Sequence, residues 1–192
     1  MEAKKLLRIE MLNKRKQHTS EEIAQISKLV VRNLWSMPEI SKANLLMGYL
    51  SFGREISLDA FIERALAMGK RICVPRIYDA QQSIIKPNWL DDITAVEHAE
   101  LGIRIPSKIS YAQPDDIDVV LVPGVAFSLS GQRLGMGKGY YDRFLPTTKA
   151  LRVGICAEYN LLDSVPTDEY DALVDYLVTP DRVIKITGTA TL

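Results

Sequence analysis

The chain has 192 residues, 47% apolar and 25% charged, which is the balance of a soluble globular protein and length enough for one domain. Such a chain buries roughly 70% of the surface it exposes when unfolded. Lysine plus arginine equals aspartate plus glutamate at 24 each, so no global basic field draws in nucleic acid and any anion site must be local.

In chain order, residues 2–16 have a helical stripe of Ala3, Leu7 and Met11 with Leu6 alongside, and charges elsewhere. Thr19 and Glu22 form a capping box that opens a second helix with Ile23, Ile26, Val30 and Leu34 on one face, ending before Pro38. ANLLMGYLSF (43–52) reads as a buried strand, and Ser57 caps a third helix through Phe61, Ile62, Ala65 and Leu66 to Gly69. RICVP (71–75) and SIIK (83–86) are further strands, while prolines at 87, 106 and 114 break any long element in 87–117. DVVLVP (118–123) is an apolar strand leading into a glycine-rich loop and a short helix near 139–145. RVGICA (152–157), YLVTP (176–180) and RVIKI (182–186) complete the strands, and the tail GTATL has no pattern. Apolar strands separated by helices predict a single α/β domain over 1–192, with helices on both faces of a largely parallel sheet. No repeat or linker interrupts it. The ligand crevice of such a sheet lies beyond the carboxyl ends of its strands.

The N-terminus, MEAKKLLRIEML, has no signal-peptide core, and no apolar run reaches membrane-spanning length. Cys73 and Cys156 sit in separate strand-like contexts and are expected to be buried thiols in a reducing compartment. A cytosolic protein without a membrane partner is the expectation.

The functional signal lies between Val119 and Leu145, in VVLVPGVAFSLSGQRLGMGKGYYDRFL. Strand, glycine-rich basic loop and helix form a plan for holding phosphates, because glycines let backbone N–H groups approach an anion while Arg133 and Lys138 add charge. The P-loop pattern fails, since Gly139 follows Gly137-Lys138 where a hydroxyl residue is required and Gln132 takes the place of the first glycine. The dinucleotide pattern fails at Tyr140, where its third glycine belongs. On composition alone, a glycine-rich surface turn is the competing reading.

The stretch VPGVAFSLSGQRLGMGKGYYDRFL resembles the signature of 5-formyltetrahydrofolate cyclo-ligases, also called methenyltetrahydrofolate synthetases. The match runs through Val122-Pro123, Ala126-Phe127, Gly131, Arg133-Leu134-Gly135, Gly137 and Gly139 to Arg143. The family's usual aspartate after the phenylalanine is Ser128 here, a change read as structural because both residues make local turn hydrogen bonds.

The resemblance implies a three-layer α/β/α fold of the NagB/RpiA/CoA transferase-like kind, with ATP as co-substrate and Mg²⁺ as cofactor. KKLLR places Lys4 and Arg8 at the spacing of two family residues that contact ATP phosphates from the first helix; an isolated basic helix would otherwise be a solvated face. With them go Arg133, Leu134, Gly135, Gly137, Lys138, Gly139 and Tyr141 for the nucleotide; Lys138, Arg133 and Tyr141 carry catalysis. LSFGRE (50–55) matches the segment whose leucine and glutamate line the folate pocket, which brings in Leu50 and Glu55 beside Met136 and Tyr140. A carboxylate there suits the adjacent N–H donors of a pterin. Asp142 and Asp171 are the implied Mg²⁺ ligands, with Asp175 the fallback in DALVD (171–175). The run Lys14-Arg15-Lys16 reads as solvated charge or an incidental polyanion patch outside the site, and GIRIPS (102–107) as pocket wall lacking the family's usual glutamate. His18 and His98 lack metal-spaced partners, and no Gly-x-Ser-x-Gly supports a hydrolase.

The implied reaction is ATP-dependent closure of 5-formyltetrahydrofolate, with or without a polyglutamate tail, to 5,10-methenyltetrahydrofolate by a monomer. Two other readings stay open on the residues alone. One is a different phosphate-ligand enzyme on a similar scaffold, such as a sugar-phosphate isomerase or acyl-CoA transferase. The other is a noncatalytic nucleotide- or nucleic-acid-binding module, against which the zero net charge argues.

Overall fold

Helices come first along the chain: α1 (Glu2–Gln17), α2 (Ser20–Trp35) and the short α3 (Pro38–Lys42) precede strand β1 (Leu45–Met47). The computed structural model describes residues 2–99 and 102–187, so the tail GTATL lies outside the described residues. Helix α4 (Asp59–Ala67) leads to a hairpin of β2 (Arg71–Asp79) and β3 (Ile84–Trp89), then a ribbon of β4 (Val96–His98) and β5 (Arg104–Pro106). Next come β6 (Val119–Pro123), β7 (Ala126–Ser128), β8 (Arg133–Leu134), α5 (Tyr140–Phe144), β9 (Leu151–Ile155), β10 (Leu161–Leu162), β11 (Tyr176–Val178) and β12 (Val183–Lys185).

The central sheet has seven strands in the order β12–β11–β9–β6–β1–β2–β3. Its inner pairings β11–β9, β9–β6, β6–β1 and β1–β2 are parallel, and only the edge strands β12 and β3 run antiparallel. This is the largely parallel sheet expected from the uniformly apolar strands. Alternation decides the two cores. Val119 and Leu121 of β6 point to one face, where Val30, Leu34, Phe61 and Ile62 from α2 and α4 cover them. Val120 and Val122 point to the other, against Phe127, Phe144 and Leu145. Fully burying one such aliphatic side chain is worth about 1.5–3 kcal/mol, so both faces must be covered.

The capping box forms as expected: Glu22 N donates to Thr19 Oγ1 at 3.2 Å and Thr19 N to Glu22 Oε2 at 2.8 Å. Helix α1 buries Met11 against Val125, Ala126 and Leu134, with Leu7 packed alongside, whereas Leu6 points outward at 60% exposure. Other expectations shift. The run 43–52 is a strand only over Leu45–Met47, because after Gly48 the backbone leaves the sheet toward the candidate site. The α4 cap is Leu58, while Ser57 Oγ accepts the Asp59 N–H at 3.2 Å from one residue earlier. The segment 87–117 contains the β4–β5 ribbon, and Pro38 starts α3 rather than merely ending α2.

Candidate active site

The carboxyl ends of β1, β2 and β6 converge, and the glycine-rich loop lies across them. Strand β6 ends in Pro123-Gly124, β7 and β8 form a small antiparallel pair, and the chain returns through 135–139 to α5. Gly131 makes the β7–β8 turn at φ +81°, where a Cβ would sit 2.6 Å from the Val174 carbonyl oxygen. Gly139, at φ +70°, occupies the left-handed position from which α5 starts. The departure at Ser128 is structural: its buried hydroxyl bonds to Ser130 Oγ and Gln132 Oε1, each at 2.9 Å.

Arg133 forms the centre of this wall. Its side chain is only 4% exposed; Nη2 donates to Asp142 Oδ1 at 2.7 Å and Nη1 to the Pro123 carbonyl at 3.3 Å. The guanidinium carbon lies 5.6 Å from the centre of the Tyr141 ring. Among the described residues, Arg133 Nε and the Tyr141 hydroxyl are buried without a hydrogen-bond partner, and buried polar atoms left unpaired in a cleft wall mark a place where ligand atoms can complete the set.

Two cavities open on either side of this wall. One, of about 300 Å³, is mainly apolar and is lined by Leu50, Pro75, Ile77, Ile85 and Ile103 together with Tyr49, Glu55, Met136, Tyr140 and Tyr141. The other, of about 770 Å³, is lined by Lys4, Arg8, Leu134, Gly137, Arg143, Asp168 and Asp171. Arg133, Gly135, Lys138, Gly139 and Asp142 belong to both. Leu50, Glu55, Met136 and Tyr140 thus lie together in the apolar cleft, and Lys4, Arg8, Leu134 and Gly137 together in the basic one. Tyr141, which the resemblance assigns to the nucleotide and to catalysis, lines the apolar cleft with Glu55 and Arg133.

Charge is held in place by ion pairs. Lys4 Nζ bonds Asp168 Oδ2 at 2.7 Å and also pairs with Asp171, while Arg8 Nε donates to the Gly135 carbonyl at 2.8 Å. Burial works to lower the Lys4 pKa, but hydrogen bonds and attraction from Asp168 and Asp171 outweigh it and the ammonium is held above its ordinary value. Glu55 is the opposite case: burial raises its carboxyl, and the Phe52 N–H bonded at 3.0 Å and the charge of Arg15 only partly compensate. Burial, aided by Glu55, also raises the Tyr141 phenol, so it stays protonated and can donate a hydrogen bond.

Three further placements refine the sequence reading. Arg15 is not solvated charge: Nη2 donates to the Gly124 carbonyl at 2.6 Å. Its spacing from Lys4 put it on the same helical face, but the partner 109 residues away gave no sequence signal. Asp175 accepts the backbone N–H of Arg152 at 2.8 Å outside both cavities, whereas Asp171 lines the basic cleft. His18 stacks on Tyr159 at 4.3 Å between ring centres, and His98 lies exposed on β4.

Among the described residues, no group of three or more His, Cys, Asp or Glu side chains converges as a resident metal cage. Asp142 and Asp171 nonetheless offer hard carboxylate oxygens in one cleft with Lys4 and Lys138. That donor set fits Mg²⁺ arriving on a nucleotide, which typically takes only one or two protein carboxylates.

The fold and the chain as a whole have counterparts in known proteins. The NMR structure of Aquifex aeolicus 5,10-methenyltetrahydrofolate synthetase superimposes with a TM-score of 0.85 at 33% identity, covering 98% of this chain and 95% of that one. The 5-formyltetrahydrofolate cyclo-ligases of Mycolicibacterium smegmatis and Escherichia coli are 29% and 25% identical, over 84% and 88% of this chain and 95% and 96% of theirs. The model of the 5-formyltetrahydrofolate cyclo-ligase family matches residues 1–180. With that match spanning nearly all of the chain, the glycine-rich wall included, the protein belongs to the 5-formyltetrahydrofolate cyclo-ligase family.

Proposed function

We propose that the protein converts 5-formyltetrahydrofolate to 5,10-methenyltetrahydrofolate in an ATP-dependent reaction that releases ADP and phosphate. The observation that carries this reading is the shared wall: Arg133, Gly135, Lys138, Gly139 and Asp142 line both an apolar cleft and a basic one. A flat pterin suits the first and a triphosphate the second, so the wall is where a phosphoryl group can pass between them.

The formyl group on N5 is an amide whose oxygen is a poor leaving group. Transfer of the γ-phosphoryl group to that oxygen, with ADP departing, makes it a good one. The lone pair of N10 then attacks the formyl carbon, the C–O bond to phosphate breaks, N10 gives up its proton, and the five-membered ring closes. Lys4, Arg8, Arg133 and Lys138 compensate triphosphate charge, while Leu134 and the glycines at 135, 137 and 139 let the backbone approach it. Phosphoryl transfer gains mainly from such positioning. Leu50, Met136 and Tyr140 hold the folate ring, and the Glu55 carboxylate accepts its N–H donors. Tyr141, protonated and unpartnered in the apolar cleft, donates to the folate side of the reacting centre. Asp142 and Asp171 would hold Mg²⁺, which supplies further neutralisation of phosphate oxygens.

We further infer a monomer working in the cytosol. The free, buried thiols of Cys73 and Cys156 suit a reducing compartment, and among the described residues no helix is long and apolar enough to cross a membrane. The test is to mix protein, Mg-ATP and 5-formyltetrahydrofolate and follow the methenyl chromophore. Product must form only with ATP; folded protein that yields none contradicts the reading.

A further inference from the structure

The last turn of α1 reaches the back of the apolar cleft. Backbone carbonyls at the end of β6 form its rim, and three consecutive ones are gripped by side chains: Pro123 by Arg133 Nη1 at 3.3 Å, Gly124 by Arg15 Nη2 at 2.6 Å and Val125 by Asn160 Nδ2 at 3.1 Å. Behind that rim is a small polar cavity of about 10 Å³, lined by Arg15, Tyr49, Glu55, Gly124, Tyr159 and Asn160. It is about the size of a single water. Glu55, Tyr49 and Gly124 therefore face the apolar cleft on one side and this cavity on the other.

We propose that Arg15 is a positioning residue of the folate cleft, keeping the Glu55 carboxylate charged across the shared cavity and fixing the Gly124 rim against which the pterin lies. The proposal rests on the folate reading given above. Across the small cavity Glu55 is faced by Arg15 from α1, Tyr49 after β1 and Tyr159 from the turn after β9, and across the apolar cleft by Tyr140, Tyr141 and Asp142 from α5, Arg133 from β8 and Lys138 from the loop. Of the three cations, Arg15 is the one whose charge offsets the burial of Glu55, since Arg133 is paired with Asp142 at 2.7 Å and Lys138 is exposed. Tyr49 is committed, since its hydroxyl donates to the Ile56 carbonyl at 2.8 Å. Burial raises the Glu55 carboxyl and the Arg15 charge opposes that rise, so removing the charge moves the carboxyl further up.

The experiment compares wild type with Arg15→Gln, Arg15→Lys, Glu55→Gln and the double variant. It measures KM for 5-formyltetrahydrofolate and for ATP across pH, and binding of 5-formyltetrahydrofolate by calorimetry. Arg15→Gln is expected to weaken folate binding about tenfold, the scale of one charge-assisted contact, with KM for ATP within about twofold. Its acid limb for folate should move to higher pH, and Arg15→Lys should restore part of both effects. In the Glu55→Gln background, Arg15→Gln should move no acid limb. An unmoved limb and unchanged folate KM in Arg15→Gln overturn the proposal, as does an equal loss for both substrates, which would mark a structural residue. Should Arg15→Gln fail to fold, Arg15→Met, which keeps an unbranched stem without the charge, decides: a limb and folate KM identical to wild type again refute it. Wild-type protein that does not bind 5-formyltetrahydrofolate at all overturns the functional reading itself along with this role.

Discussion

Asp142 holds Arg133 by an ion pair and is proposed to hold Mg²⁺, and replacing it separates the two roles. Its Oδ1 accepts Arg133 Nη2 at 2.7 Å and the Ala172 N–H at 3.3 Å, while its side chain is 21% exposed beside a guanidinium that is 4% exposed. Asp142→Ala removes both contacts and leaves the Arg133 charge buried without its anion. A charge-assisted hydrogen bond is worth about 1.5–3 kcal/mol and the second, longer contact about 0.5–1, so partial exposure sets the total at about 3 kcal/mol. For a chain of this size that lowers Tm by about 6–12 °C, leaving the protein folded at 25 °C. Asp142→Asn keeps a neutral oxygen facing Arg133 Nη2 and the Ala172 N–H, and is expected to lose less than about half as much. Both variants should nevertheless lose most turnover and weaken Mg²⁺-dependent ATP binding, because each lacks the carboxylate charge. Thermal unfolding, steady-state rates and calorimetric titration of ATP with and without Mg²⁺ measure the separate effects. Wild-type turnover and Mg²⁺ dependence in Asp142→Asn would refute the metal role; an unchanged Tm in Asp142→Ala would refute the buried pair.

Lys138 is exposed in the loop, so Lys138→Ala should shift Tm by less than about 2 °C while turnover falls at least about a hundredfold, read from thermal unfolding and the chromophore assay. Burial raises the Glu55 carboxyl, so its ionisation weakens folding: the contribution is fully present below the ordinary carboxylate value and is lost as pH rises through the raised one. Glu55→Gln is therefore expected to be more stable than wild type at neutral pH yet poorer in folate binding, and wild-type KM for folate should climb as pH falls through the raised value while that of Glu55→Gln stays flat. Gly131→Ala forces a side chain into a left-handed turn and against the Val174 carbonyl, which should cost about 2–4 kcal/mol in denaturant unfolding.

What was legible in the sequence was what local chemistry dictates. The Thr19–Glu22 box needs only residues three apart, and VVLV reads as a strand apolar on both faces because it is buried on both. The density of the Gly131–Arg143 signature located the wall between the two clefts. Features set by distant partners were not visible. Strands β8 and β10 are two residues each, too short for any periodicity, and exist because β7 pairs with both. The β4–β5 ribbon is fastened by Arg104, whose guanidinium makes two bonds of 2.8 Å to Asp59, 45 residues away. Arg15 reads in sequence as one more charge in Lys14-Arg15-Lys16, because its partner, the Gly124 carbonyl, lies 109 residues away. Tyr141 could not be assigned to one cleft from its neighbours in sequence, since the direction in which α5 turns it depends on where Arg133 packs.

Phosphoryl transfer to the formyl oxygen across the shared wall is the central step of the proposed reaction. The most direct test uses 5-formyltetrahydrofolate carrying heavy oxygen in its formyl group, with Mg-ATP, and mass analysis of the phosphate released. One heavy oxygen is expected in each phosphate formed, in step with the methenyl product; methenyl product accompanied by unlabelled phosphate would rule out phosphoryl transfer to the formyl oxygen.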